Sequence, residues 1–237
     1  MGFRLTQITP PASEPVSLSD MKTWLRVSST DQDYLLTSLI RSSREYVERF
    51  VEKQLMLSQY ELKTDFFPIY VVNGAYSLTA YQTLPNNMQI GNALLQDVDW
   101  GILAMPDYRR QMLPNFGNFV LPLPPLQSVQ SIQYLDVNGT LQTWSSSNYQ
   151  VVTSNYPGYI KPTSGYPATL QNTSEAVTVT FTCGYATASS VPEIYKTAIK
   201  LLTSWHYENR VPIGGSDKSI SESIDRLLAQ EKQYSTV

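Results

Sequence analysis

Charge is nearly absent from the middle of this chain. Between Phe66 and Thr187 only 8 of 122 residues are charged, whereas Ser17–Leu55 carries 12 in 39, six of each sign, and the 50 residues from Ala188 onward carry 12. The middle is rich instead in Tyr, Asn, Gln, Ser and Thr. Such a stretch suits β-strands with a neutral polar surface. It equally suits a surface covered by partners, because interface cores are poor in charge and rich in aromatics.

The charged flanks carry helical periodicity. Ser17-Leu18-Ser19-Asp20 matches a capping pattern, and Leu18, Met21, Trp24 and Leu25 follow at helical spacing. Thr30-Asp31-Gln32-Asp33 repeats the cap signal. Behind it Leu35, Leu36, Leu39, Ile40, Tyr46, Val47 and Phe50 mark one face of a long helix ending near Leu55. Val191-Pro192-Glu193 opens another long helix, proline being at home in a first helical turn. Its expected buried stripe is Ile194, Ala198, Leu201, Leu202 and Trp205. Pro212, Gly214 and Gly215 break it. A short amphipathic helix follows, capped by Ser219 with Glu222 and lined by Ile220, Ile224, Leu227 and Leu228.

Between the flanks the period changes to two. Residues 56–64 read as a strand. Asn138-Gly139 between Val129–Val137 and Thr140–Trp144 predicts a hairpin with both turn residues at positive φ. Shorter strands are expected at Tyr149–Val152 and Tyr159–Lys161. Val177, Val179, Phe181 and Cys183 alternate with threonines as in a half-buried strand. Leu121-Pro122-Leu123-Pro124-Pro125-Leu126 predicts a stiff extended entry to the sheet. Residues 1–16, with three prolines and no period, read as a leading arm or loop.

The expected class is α+β: a helical bundle core, a small antiparallel β domain and a mainly β insertion. The boundaries are 1–16 for the arm, 17–65 with 188–214 for the helical core, and 66–118 for the insertion. Residues 119–187 form the small β domain and 215–237 a C-terminal tail.

Little here points to chemistry. Of 237 residues one is cysteine, one is histidine, and the net charge is −3. One cysteine forms no intrachain disulfide. No basic surplus advertises nucleic-acid binding. No apolar run approaches a bilayer span of roughly 20 residues, and Met1–Glu14 lacks a signal peptide's apolar core. Cys183 with His206 is the only thiol-and-base pair available, but Cys183 shares a strand face with Val177 and Phe181 and reads as core. His206 has no second ligand at metal spacing. Asp97 and Asp99 lack an EF-hand loop. The myristoylation-like Met1-Gly2 with Thr6 and the sequons at Asn138 and Asn172 are short patterns that a product made in bacterial cytoplasm does not use. No enzyme activity, cofactor or metal is expected. The aromatic-rich insertion (Phe66, Phe67, Tyr70, Tyr76, Tyr81, Trp100, Tyr108, Phe116) leaves a second reading open, a binding module that stacks a carbohydrate.

Three signatures in order carry a resemblance. The first is Pro15-Val16-Ser17-Leu18-Ser19-Asp20-Met21-Lys22-x-Trp24-Leu25-Arg26-Val27 with Asp31-Gln32-Asp33. The second is Leu121-Pro122-x-Pro124-Pro125-Leu126-x-Ser128-Val129-x-Ser131-Ile132-x-Tyr134, with Asp136 and Gly139. The third is Val191-Pro192, Ala198, Leu202 and Trp205-His206-Tyr207-Glu208-Asn209-Arg210. Together they resemble the head–tail connector (adaptor) family of tailed phages and gene-transfer agents. The resemblance implies a structural virion protein of the neck, forming a twelve-fold ring on the portal and touching a stopper or tail terminator below. Double-stranded DNA would pass through without specific binding. The short last helix needs a surface to cover Ile220, Ile224, Leu227 and Leu228; that surface is either the protein's own core or the portal or a ring neighbour, and the resemblance implies docking on the portal. A ring needs one patch to meet a different patch on the next copy. The expected patches are helix Thr30–Leu55 (Arg41, Arg44, Glu48) and helix Pro192–Arg210 (Trp205, Tyr207, Glu208, Arg210).

Overall fold

The computed structural model describes residues 3–67, 71–72, 75–76, 118–169, 173–209 and 217–231. Four helices and antiparallel strands make it an α+β fold. The strands are β1 Phe3–Thr9, β2 Ser58–Thr64, β3 Val71–Val72, β4 Ala75–Tyr76, β5 Phe119–Val120, β6 Leu126–Leu135, β7 Leu141–Thr143, β8 Tyr149–Val152, β9 Tyr159–Pro162 and β10 Val177–Cys183. The helices are α1 Leu18–Leu25, α2 Asp33–Val51, α3 Glu193–Glu208 and α4 Asp217–Leu228.

The chain divides into two compact units, and it passes from one to the other after residues 6, 59, 121, 127 and 181. Among the described residues, one unit is mostly strands and the other holds the four helices. The sheets have the orders β1-β2-β10-β6-β7 and β5-β9-β8, with a separate β3-β4 ladder.

In the strand unit, burial follows the period of two. β10 alternates buried and half-buried residues along its whole length, as its sequence predicts. Phe67 stacks on Tyr166 with ring centroids 5.0 Å apart and meets Trp144 edge-on at 5.4 Å. Phe119 and Tyr134 complete the cluster around it. Phe67, Phe119, Trp144 and Tyr166 are buried, so these aromatics are core and not a stacking platform. The remaining aromatics of the proposed carbohydrate surface lie outside the described residues or carry undescribed side chains, except Phe66, which is exposed.

The hairpin forms where Asn138-Gly139 predicts it, with a different turn. Leu135 pairs with Leu141, leaving five loop residues, and Gly139 N–H donates to the Asp136 carbonyl at 2.8 Å. Only Gly139 has positive φ, at 78°. This is the longer loop that ends in a left-handed glycine, not the two-residue turn. Asp136 selects it, because its carboxylate accepts the N–H groups of Asn138 and Thr140 and the Gln142 side-chain amide. Those bonds, from Thr140 and then Gln142, hold its pKa below the usual carboxylate value. A depressed native pKa gives support that is present above the unfolded pKa and lost as pH falls through the native one. The amide signals of Asn138 and Thr140 are therefore expected to titrate together, below the ordinary aspartate range, in an NMR pH series. Titration at the ordinary value would contradict the cap.

In the helical unit, Val16, Met21, Ile40, Val47, Val51, Leu55, Met56, Val191, Tyr195, Ala198, Ile199, Leu202, Ile224 and Leu228 form one core. α2 packs along α3, α1 lies against both, and α4 covers α2 and α3. Ser17 caps α1 by accepting the Asp20 N–H at 3.1 Å. α2 starts at Asp33 behind an N-cap, Gln32, whose side chain does not cap; Asp31 accepts from Ser29 and Asp33 from Lys22. α2 ends at Val51 and not at Leu55. Glu52 turns left-handed at φ 57°, which sends Lys53–Met56 inward, all four buried.

Four further expectations change. Residues 3–9 are an edge strand and not a loop. The buried stripe of α3 is Tyr195, Ala198, Ile199, Leu202 and Thr203, with Leu201 exposed. α4 begins two residues before its expected cap, Ser219. The proline run is not extended either, since Leu123 sits at φ 60°. That bend lets the Pro124 carbonyl accept Gln54 N–H and the Pro125 carbonyl accept Gly184 N–H. Gly184 has φ +99°, and a Cβ there would lie 2.3 Å from the Met56 carbonyl oxygen, so this crossing excludes any side chain.

Candidate functional site

The most concentrated polar chemistry lies inside the helical unit. Arg44 faces inward from α2 with 4% of its side chain exposed. Its guanidinium donates to Glu14 at 2.7 Å and also to Glu48 one turn on. Glu48 also accepts Gln54 Nε2 at 2.8 Å and the Leu55 N–H at 3.0 Å. Burial pushes the Glu48 carboxyl up, against the downward pull of Arg44 and of the Leu55 N–H. Burial disfavours the charge on Arg44, and the carboxylates of Glu48 and Glu14 more than restore it. Every donor around Glu48 is used to tie the inward loop after α2 to the helix.

A second polar group holds the C-terminus. Lys53 donates to the Tyr195 hydroxyl at 2.9 Å, and that hydroxyl donates to Glu231 at 2.8 Å. Lys53 also lies 3.5 Å from Glu231 and over the Tyr195 ring. On the neighbouring turn Tyr46 donates to Asp225 at 2.9 Å. Burial, then Asp225, raises the Tyr46 pKa. Sequence reasoning missed Glu14, Lys53, Gln54, Tyr195 and Glu231. The one available signal was Tyr195, which falls in helical register with Ala198, Ile199 and Leu202.

The expected contact residues therefore divide. Arg44 and Glu48 are buried and bonded within the chain, to Glu14, Gln54 and the Leu55 N–H. Arg41 is exposed and pairs only with Glu45, one turn away. Glu208 is exposed at the end of α3, Tyr207 is half-buried, and Trp205 is half-buried with its ring against His206. Arg210 lies outside the described residues. In the tail, Ile224 and Leu228 are 2% and 0% exposed in the chain's own core, whereas Leu227 is 38% exposed. Of the three docking candidates whose side chains are described, Leu227 is the exposed one; the side chain of Ile220 lies outside the described residues. The outer surface of the unit also shows Trp24 and Tyr34, the latter 90% exposed.

Among the described residues no group of His, Cys, Asp and Glu is placed to hold a metal, and no helix is long and apolar enough to cross a membrane. Cys183 is buried, and burial, with Glu48 nearby, pushes its thiol far up. It is expected to resist a thiol reagent in the folded protein and to react fully after denaturation. Fast labelling of folded protein would contradict this.

Residues 15–89 match the family model described as phage gp6-like head-tail connector protein. This stretch carries the connector pattern. It takes in α1, α2 and the inward loop behind them. Across nearly the whole chain the fold is similar to a chain in the neck of the native gene transfer agent (GTA) particle, computed with C12 symmetry. The TM-score is 0.62 at 14% identity, covering 99% of this chain and 97% of that one. A chain in the neck of the empty GTA particle, computed with C6 symmetry, gives 0.61 at 17% identity, covering 94% of each. One in the virion of the native particle gives 0.57 at 15% identity, again covering 94% of each. No curated protein matches the chain.

Proposed function

We propose that the chain is a structural subunit of a virion neck, a head–tail connector made in the bacterial host and built into the particle. Its subunits form a ring, twelve-fold, beneath the portal. The ring continues the DNA channel and meets a stopper or tail terminator below. The observation that carries this reading is a fold shared over nearly the full length with neck chains, joined to the connector match over residues 15–89. The buried polar groups of the helical unit hold its fold together. A net charge of −3 per copy, repeated around a channel, repels phosphates and lets DNA slide past without gripping it.

Arg41, Glu208 and Leu227, with Trp24 and Tyr34, are the exposed candidates for contacts with neighbours and portal. Negative-stain microscopy of the purified protein, with and without portal particles, tests the reading. Rings seated on the portal are the expected result. A monomer that ignores the portal overturns it, and one that binds glycan instead favours the carbohydrate module.

A further inference from the structure

We propose that Asn138 is a site of spontaneous deamidation that the Asp136 turn keeps closed. Asn138 and Gly139 lie exposed in the loop of the β6–β7 hairpin. An asparagine followed by glycine carries the chemistry in its own backbone. The Gly139 amide nitrogen, once hydroxide has taken its proton, attacks Asn138 Cγ, and no Cβ on Gly139 stands in the way. The N–Cγ bond forms and the Cγ–Nδ2 bond breaks. Nδ2 leaves as ammonia, taking a proton from water and returning the hydroxide. Water then opens the cyclic imide. Breaking the new N–Cγ bond gives aspartate, and breaking the original peptide bond gives isoaspartate. Overall one water is consumed, one ammonia is released and nothing is oxidised.

The turn withholds the proton on which the reaction depends. Gly139 N–H donates to the Asp136 carbonyl at 2.8 Å. The Asp136 carboxylate accepts the N–H of Asn138 at 2.9 Å and that of Thr140 at 3.0 Å, on either side of the reacting nitrogen. The Gln142 amide holds that carboxylate at 3.1 Å, and Asp136 N–H donates to the Thr140 carbonyl at 2.9 Å. Hydroxide reaches the Gly139 proton only when its bond to the Asp136 carbonyl opens. The carboxylate bonds on both sides resist that opening, and bonds to a charged acceptor are the stronger kind. Asp136, and not the exposure of the loop, therefore sets the rate. Isoaspartate routes the chain through the side-chain carbon and adds one backbone atom to the loop. Its new carboxylate also stands close to that of Asp136, so the product disfavours the turn that delayed it.

The test holds the full-length wild type and Asp136→Ala at mildly alkaline pH, folded and in urea. Mass spectrometry of tryptic peptides follows deamidation and isoaspartate at Asn138. The other Asn-Gly pair of the sequence, Asn73-Gly74, read in urea on a separate peptide, gives the rate of an open pair. Folded wild type is expected to react at Asn138 about tenfold more slowly than the unfolded chain, or slower still, the factor that one hydrogen bond to a charged group supplies. Folded Asp136→Ala should approach the unfolded rate. Wild type that reacts as fast folded as in urea overturns the proposal, and so does a folded variant as slow as wild type. If circular dichroism shows that Asp136→Ala does not fold, amide hydrogen exchange of the wild type decides. The Gly139 amide should then exchange about tenfold or more below the rate of an open amide, and an unprotected Gly139 overturns the proposal.

Discussion

A chain ended before Asp217 is expected to lose most of the stability of its helical unit. Burying a side chain such as Ile224 or Leu228 is worth roughly 1.5–3 kcal/mol each, and both are at or near full burial. The cut also removes Glu231 from Lys53, a buried ammonium. Stranding one partner of a buried pair costs about 3–5 kcal/mol, and the lower end applies because Glu231 is 38% exposed. Together these approach the whole stability of a typical domain, about 5–15 kcal/mol. Circular dichroism should show the truncated chain melting far below wild type, or not folding. Leu228→Ala alone should cost about 2–5 kcal/mol. A truncated chain that melts like wild type would mean that α4 is dispensable to the core. Loss of portal binding after such a cut would then report docking and not unfolding.

Arg44→Met should be the most damaging single substitution in α2, costing about 3–5 kcal/mol, because it leaves Glu48 buried without its cation. Arg44→Met/Glu48→Met should cost less than the sum of the two single changes, since the orphaned charge goes with its partner. The pH dependence distinguishes this from simple loss of packing. Burial already raises the native pKa of Glu48, and removing Arg44 raises it further. A carboxyl with a raised native pKa binds its proton more readily folded than unfolded, so stability increases as pH falls from above the native pKa towards the unfolded one. Urea titrations of Arg44→Met should therefore show part of the lost stability recovered on mild acidification. A cost independent of pH would show that Glu48 is not the source.

The helices were legible because apolar spacing and Pro192 at the head of α3 are local signals. β10 was legible because its alternation is nearly unbroken. What stayed hidden depends on residues far apart in sequence. Arg44 reads in sequence as a surface charge beside Glu45 and Glu48, and Glu14, thirty positions away, supplies a second carboxylate to the buried guanidinium. Lys53 looked like the end of a solvated helix until Glu52 turned left-handed and sent it inward. β1 escaped notice because an edge strand with exposed side chains leaves no period to read. The tail was read as a docking arm because an amphipathic stripe records that an apolar face needs cover, not which surface provides it. The hairpin sat where Asn-Gly placed it, but Asp136 decided the turn through bonds that the dipeptide alone does not encode.

The passages between the two units have a consequence for inheritance. The chain changes unit after residues 6, 59, 121, 127 and 181, so each unit is assembled from several separate stretches. No contiguous stretch of the gene encodes either one. A recombination event that exchanges one contiguous stretch therefore carries part of one unit or parts of both, and leaves the remaining stretches to match what arrives.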